Sequence, residues 1–227
     1  MIGNDIIING LSETQNYIYD AQGNPTSISN FYYFDGTSGQ YYDHATLTWE
    51  SRQLQEIKVF NAGQDLEIFR VSTITYTYND QGYRTSKTIS EPGETAVVTT
   101  YDLLGSQVIH ESNGTNDIYY TYDSDGTLIS FNLNEEDYFC INNLQGDIVA
   151  LVDEDGTEVA KYEYDSYGNL LSFTGTVKSP MTYRGYRYDW EIGMYYLNSR
   201  YYNPQTGRFI SSDGIFGEIG NLASSNM

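Results

Sequence analysis

The segment YTYDSDG, residues 120–126, decides the fold of this chain. Its first half alternates between aromatic and β-branched residues, which is typical of a β-strand. Its second half predicts a tight turn, because the Asp123 carboxylate can accept backbone hydrogen bonds two residues on and Gly126 tolerates a positive φ. The residues that follow, TLISF at 127–131, predict a second strand. The whole segment is therefore a predicted β-hairpin.

The same pattern recurs along the chain. Further copies are YIYDAQGN at 17–24, YTYNDQG at 76–82, TTYDLLG at 99–105 and YEYDSYGN at 162–169. The turn glycines follow one another at intervals of roughly 20–25 residues, which is typical of repeat architectures; they are Gly82, Gly105, Gly126, Gly146 and Gly168. No stretch shows helical periodicity. The predicted fold class is all-β, with tandem antiparallel β-hairpins wound into a curved or spiral array.

One part of the chain follows the pattern less closely. Between about residues 31 and 64 the turn signature is absent, but TLTWE at 46–50 and LQEIKVF at 54–60 have strand composition. We expect these two segments to pair with each other. No Pro-, Gly- or Ser-rich stretch divides the chain at this point, so the array is predicted to be continuous.

Composition restricts the possible partners. Lys and Arg total 11 against 31 Asp and Glu, a formal net charge of −20. Such a surface repels phosphate backbones and anionic lipid, which argues against binding to nucleic acid or membranes. Tyr is the dominant aromatic residue, with 24 Tyr against 9 Phe and 2 Trp, and it suits half-buried sheet because its ring packs while its hydroxyl bonds. Residues 1–5 show no signal-peptide character.

The end of the chain carries more specific motifs. These are YRGYRYD at 183–189, GMYYLNSRYYNP at 193–204 and GRFISSD at 207–213. In order and spacing they resemble the repeat-associated core segment of RHS proteins, and the repeats before them resemble YD repeats. The chain is thus similar to the shells of polymorphic toxins, to insecticidal toxin complex C subunits and to teneurins. The resemblance implies a YD-repeat array over residues 1–178 and a core segment, or plug, over 179–227.

The resemblance also implies a biological role. RHS shells are hollow, and in bacterial members the core segment plugs one end while a toxin that follows it is held inside. We therefore expect a C-terminal toxin or effector domain and upstream RHS repeats as partners, in a larger bacterial protein that is secreted or on the cell surface. The family usually continues past the core segment to a cleavage site and a toxin, so we expect both beyond Met227.

Asp213 is the candidate catalytic residue, on the strength of the resemblance alone. In several family members the core segment is an aspartyl autoprotease, with Asp213 as one carboxylate and Arg208 nearby to hold it. Such chemistry needs two carboxylates that share a proton, and Asp189 and Glu218 are the nearest acidic residues in sequence. The alternative is a structural ion pair between Arg208 and Asp213. Here Gly214 follows Asp213 where the family commonly has proline.

No motif predicts a metal or a cofactor. The acidic run at 153–156 lacks the twelfth-position Glu of a calcium-binding loop and is better explained as a hairpin turn. His44 and His110 stand apart from any ligand-spaced cluster, which disfavours zinc. Cys140 is the only cysteine, lies in a strand-like segment and is interpreted as a buried apolar side chain.

Three functions remain open at this point. The first is a structural shell segment that encloses and presents an effector, and the second is the autoprotease that releases it. The third is an adhesion module that binds carbohydrate or protein through tyrosine-rich sheet. The fold adds one further expectation: a segment cut from a spiral leaves an unpaired edge strand, which self-associates unless the N-terminal residues cover it.

Overall fold

The structure is a computed structural model of the 227-residue chain, and it describes residues 3–8, 11–34, 39–62, 68–198 and 200–211. The described residues are almost entirely antiparallel β-strand, so the predicted all-β class is confirmed. One 3-10 turn, Tyr183–Gly185, is the helical segment of this part of the chain. No described helix is long and apolar enough to cross a membrane.

Fifteen strands form one large sheet. In chain order they are β1 (Gly3–Ile8), β2 (Leu11–Tyr19), β3 (Pro25–Phe34), β4 (Gly39–Glu50), β5 (Gln53–Ala62), β6 (Ile68–Tyr78), β7 (Arg84–Ser90), β8 (Val97–Leu104), β9 (Gln107–Ser112), β10 (Asp117–Tyr122), β11 (Leu128–Leu133), β12 (Glu136–Asn142), β13 (Ile148–Val152), β14 (Glu158–Tyr164) and β15 (Leu170–Gly175). Each strand pairs with the next one in sequence, so the predicted array of hairpins is confirmed. The pairing of 46–50 with 54–60 is confirmed as part of the β4–β5 hairpin.

Four short strands form a second, small sheet. They are β16 (Arg187–Asp189), β17 (Met194–Tyr196), β18 (Tyr201–Asn203) and β19 (Arg208–Phe209), again in sequential order. The large sheet ends at Gly175 and the small sheet begins at Arg187, on either side of the predicted boundary between residues 178 and 179. The division into two domains stays a prediction, as does self-association through an edge strand.

The repeated turns have the geometry that the sequence predicts. At residues 123–127, Asp123 Oδ1 accepts hydrogen bonds from the backbone N–H groups of Asp125 (2.9 Å) and Thr127 (2.8 Å), and Gly126 has a φ of +84°. The same pair of side-chain bonds begins at five other turns, namely at Asp20, Asn79, Asn143, Asp153 and Asp165. The acidic run at 153–156 is thus such a turn.

The copy at residues 99–105 departs from this geometry. Strand β8 continues through the expected turn to Leu104, which pairs with Gln107, so the chain reverses across Gly105 and Ser106. The carboxylate of Asp102 bonds to the ring of His110 instead of to its own backbone, with 2.8 Å between Oδ2 and Nδ1. A side-chain partner on the next strand has replaced the local turn bond, which the sequence motif could not indicate.

The large sheet closes around the C-terminal segment, which we define as residues 179–211. Tyr202 donates its hydroxyl hydrogen to the carbonyl of Tyr167, between β14 and β15 (2.8 Å), while the adjacent Asn203 donates to the hydroxyl of Tyr17 in β2 (3.1 Å). Strands in a sheet lie about 4.8 Å apart, so in a flat sheet β2 and β14 would be about 60 Å from each other. Two consecutive side chains can reach both only because the sheet is strongly curved.

The buried apolar residues form two clusters on the inner face. One joins strands β2–β6 to the small sheet through Ile192, Met194, Tyr196, Tyr201 and Ile210. The other joins strands β10–β15 to Val177 and Met181. Strands β7–β9 lie between the two clusters, and their most buried inner side chains are largely polar or charged: Arg84, Thr99, Tyr101 and Glu111.

The C-terminal segment packs closely on the turn that contains Gly168. A Cβ at Gly168 would lie 2.6 Å from Cδ1 of Tyr183, whereas a Cβ at Gly146, in the equivalent turn, has open space around it; both residues have similar positive φ values, +87° and +85°. We expect Gly146→Ala to cost about 1–2 kcal/mol through backbone strain alone. Gly168→Ala should cost at least about 1 kcal/mol more, because it also overpacks the contact. Urea unfolding of the two variants measures this, and equal losses would contradict it.

Candidate functional site

The most distinctive site is a buried ion pair between the large sheet and the C-terminal segment. Arg84, the first residue of β7, donates two hydrogen bonds to Asp189, the last residue of β16: Nη1 to Oδ2 at 2.6 Å and Nη2 to Oδ1 at 3.0 Å. Both side chains are only 1% exposed. The planar guanidinium matches the carboxylate in this two-bond geometry, which lysine could not reproduce.

Two further sets of ion-pair contacts extend the Arg84–Asp189 pair into a network. Lys87, three residues after Arg84 in β7, contacts both Asp189 (3.6 Å) and Glu191. Arg187 at the start of β16 pairs with Glu111 in β9, with 2.6 Å between Nη2 and Oε2. We call these six residues the ionic network; it contains three cations and three carboxylates, so its formal charges balance.

Burial and neighbouring charges act in opposite directions on the pKa of Asp189. Burial by itself would raise the pKa of the carboxyl, but the charges of Arg84 and Lys87 outweigh it and hold the pKa below its ordinary value. Burial would likewise lower the pKa of Arg84, and the charge of Asp189 reverses that direction. Asp189 and Arg84 therefore both stay charged in the folded chain, and Asp189 is not a carboxyl that shares a proton.

Tyrosine rings enclose the network. The ring of Tyr101 lies between two guanidinium groups, with its centroid 5.1 Å from Cζ of Arg84 and 4.8 Å from Cζ of Arg187. The Tyr196 ring covers Arg84 at 4.4 Å, and the Tyr201 hydroxyl accepts a hydrogen bond from Arg84 Nη1 at 2.9 Å. Cation–π contacts of this kind gain strength in a desolvated site. They give Tyr196, within the motifs at 183–204, a direct role in the network.

The sequence did contain a signal for Arg84 that our interpretation missed. Arg84 lies two residues after the turn glycine Gly82, and the same position holds a buried aliphatic residue in three other turns, namely Leu128, Ile148 and Leu170. A cation at a position that these turns bury indicates a partner of opposite charge, although the exposed Glu158 at this position in the turn at 153–157 makes the signal weak. No local pattern indicates which carboxylate that partner is.

The predicted catalytic residues are not brought together by the described structure. Arg208 lies in β19 and is exposed. Asp213 and Glu218 lie outside the described residues. Asp189, the other candidate carboxylate, is occupied by Arg84 and Lys87. The catalytic role of Asp213 and Arg208 stays a prediction.

Two titratable side chains lie apart from the network. His110 bridges three strands, with Nδ1 2.8 Å from Asp102 Oδ2 in β8 and Nε2 2.8 Å from Asp117 Oδ1 in β10. The bond to Asp102 and then that to Asp117 raise the pKa of His110. Burial raises the pKa of Cys140 to about 12, so its thiol stays protonated at neutral pH.

Comparisons with known proteins agree with this geometry. The family model "Teneurin YD-shell" matches residues 106–225, just over half of the chain. The tRNA3(Ser)-specific nuclease WapA of Bacillus spizizenii is 33% identical over 215 residues, and the tRNA nuclease WapA of Bacillus subtilis is 34% identical over 215 residues. Each match covers 92% of this chain but only 8% of the relative.

A solved structure shows the same fold. The crystal structure of TcdB2-TccC3-TEV superimposes with a TM-score of 0.54 and 18% sequence identity, and the match covers 93% of this chain and 12% of that one. A sequential antiparallel sheet closed around its own C-terminal segment defines a shell-type β protein. This chain belongs to the Teneurin YD-shell family. The resemblance to RHS/YD-repeat proteins is thereby confirmed.

Asp189→Asn should destabilise the fold strongly, because it leaves Arg84 and Lys87 buried with too little opposing charge. We expect a loss of about 3–5 kcal/mol at neutral pH. Since the folded state holds the pKa of Asp189 below its ordinary value, the carboxylate stabilises the fold above that ordinary value. Its contribution is lost as the pH falls through the folded pKa, so the two proteins should converge in acid.

Urea unfolding across a pH series measures the difference. The matched control is Glu163→Gln, which removes one carboxylate from an exposed pair with Lys161 (3.3 Å) and should cost less than about 1 kcal/mol. An equal effect of the two substitutions would show that the ionic network contributes no more than a surface pair.

Proposed function

We propose that this chain is the C-terminal part of a shell that encloses an effector encoded downstream of it. The parent is a larger bacterial protein, secreted or on the cell surface, and upstream repeats extend the large sheet beyond β1. The plug of this shell is the C-terminal segment. The chain itself is structural on this proposal, and its partners are the effector and the upstream repeats.

The observation that carries the proposal is the closure of the large sheet around the C-terminal segment. Hydrogen bonds from Tyr202 and Asn203 join opposite ends of the sheet, and the ionic network fixes the segment to the middle strands. Removing the segment would expose Arg84, Lys87 and Glu111 without their partners. Because removing the C-terminal segment would cost this free energy, the segment should stay in place, as a plug must.

The relatives support the effector half of the proposal. Both curated relatives are named as tRNA nucleases, yet this chain matches only 8% of their length. Its charge of −20 opposes contact with a phosphate backbone. We infer that nuclease chemistry in such a protein belongs to another part of the chain, which a shell segment of this kind would cover.

Protease protection tests the proposal. The parent protein, expressed with its native downstream sequence, is digested in parallel with the isolated downstream domain. We expect the downstream domain to resist digestion within the parent and to be cut rapidly alone, because a closed sheet excludes the protease. Glu163→Gln in the parent should keep the protection, and Asp189→Asn should reduce it by loosening the plug. Equal digestion of the domain inside and outside the parent would refute enclosure.

We propose self-cleavage as a second function, with Asp213 and Arg208 as the candidate residues. Because Asp189 is committed to Arg84 and Lys87, the second carboxylate would have to be another residue, such as Glu218. We expect the parent protein to split after the core segment and the Asp213→Asn variant to stay whole, as measured by intact mass. If both stay whole, Asp213 is a structural residue and the shell retains its cargo.

A further inference from the structure

A cavity of about 360 Å³ opens between two turns of the large sheet and the C-terminal segment. Its wall combines the β8–β9 turn, the β10–β11 turn and residues 185–187, 196–198 and 200. Arg187 and Arg200 both line it, whereas none of its described lining residues is Asp or Glu. The whole chain has 31 acidic and 11 basic residues. A wall with two arginines and no described acidic residue therefore differs in charge from the chain as a whole.

Arg187 supplies a buried cation to this wall. Its side chain is 7% exposed, and Nη2 lies 2.6 Å from the Glu111 carboxylate. The same Nη2 also donates a hydrogen bond to the Tyr120 hydroxyl at 3.4 Å. A guanidinium carries five N–H donors, and both of these contacts are made by Nη2, so the three N–H groups on Nε and Nη1 remain as donors for an anion.

Arg200 supplies the second cation, in a pre-organised position. Its Cζ lies 3.8 Å from the centroid of the Phe209 ring, so the guanidinium stacks on a flat support. The turn that carries it is closed by a hydrogen bond from the Leu197 N–H to the Arg200 carbonyl (2.9 Å), and the Tyr196 hydroxyl donates to the carbonyl of Asn198 (2.7 Å). Because the Arg200 side chain is already fixed, ordering it on ligand binding costs little free energy.

The remaining wall offers hydrogen bonds and aromatic surface. Gln107 and Asn198 each carry an amide that can both donate and accept; the Gln107 NH2 group already donates one hydrogen bond, to the Gly126 carbonyl at 3.5 Å. Tyr122 and Tyr186 also line the cavity. The volume lies near the lower end of ordinary small-molecule pockets. Guanidinium groups select a carboxylate, amides select hydroxyl groups and rings cover the apolar face of a small cyclic molecule.

We propose that this cavity binds a small organic carboxylate that also carries hydroxyl groups, the chemistry of an acidic sugar. A cation would find no carboxylate among the described lining residues. A long polyanion is repelled more strongly than a small carboxylate, because it extends over more of the negatively charged surface. This binding site is additional to the shell function and does not depend on it.

Titration of the full 227-residue chain with D-glucuronate, followed by NMR, tests the proposal. Salt of about 0.15 M screens the long-range repulsion. We expect saturable shifts with a Kd near ~1 mM, which is ordinary for a ligand of this size. D-glucose, which lacks the carboxylate, should bind about tenfold more weakly, because an ion pair to a guanidinium is lost.

Two variants and one control make the test specific. Arg200→Gln removes a cation and Gln107→Glu adds a carboxylate to the wall, and each should weaken glucuronate binding about tenfold or more. Arg52→Gln makes the same change of charge at an exposed site in the β4–β5 turn and should leave the Kd within about twofold. The proposal is overturned if glucuronate gives no saturable shift below ~20 mM, if glucose binds equally well, or if Arg52→Gln weakens binding as much as the cavity variants.

Discussion

The bond between Arg84 and Asp189 is the interaction on which the rest of this structure depends. Removing two charges from water is costly, and the cost is recovered only where both groups find full partners in a fixed geometry. Here the guanidinium and carboxylate meet in two hydrogen bonds, while Lys87, Tyr196 and Tyr201 satisfy what remains. An apolar contact would tolerate a shifted register of the small sheet. The Arg84–Asp189 pair would not, because a shift would break its two hydrogen bonds. The network thus fixes where the C-terminal segment sits, and the two apolar clusters on either side stabilise it there.

Charge is divided between the inside and the outside of the shell. The interior network has balanced formal charges, whereas the chain as a whole carries −20, so the excess lies outside the network. Tyrosine makes this division possible. Its ring fills the curved interior, and its hydroxyl reaches a backbone carbonyl, as Tyr195 does at Gly168 (2.8 Å) and Tyr164 at Ile148 (2.8 Å). A phenylalanine at these positions would leave those buried carbonyls with one partner fewer.

Much of the fold could be predicted from the sequence, and the local elements show why. Asp123 bonds to backbone groups within four residues, so YTYDSDG contains its own turn. Where a distant side chain competes, prediction fails: Asp102 stands in a similar motif but bonds to His110, and β8 runs on to Leu104. The motifs at 183–213 predicted a separate C-terminal segment and its family. They did not indicate that Arg84 in β7 is the partner of Asp189.

The sequence by itself therefore determined the class of protein, the repeat, the hairpins and the family, because alternation and Asx-type turns are set by residues a few positions apart. The tertiary structure alone decided the ionic network, the closure of the sheet and the cavity beside Arg187. Arg84 and Asp189 are 105 residues apart, and Asn203 and Tyr17 are 186 apart. No local preference encodes such pairings. They arise when the summed twist and curvature of fifteen strands bring both ends of the sheet to one short segment.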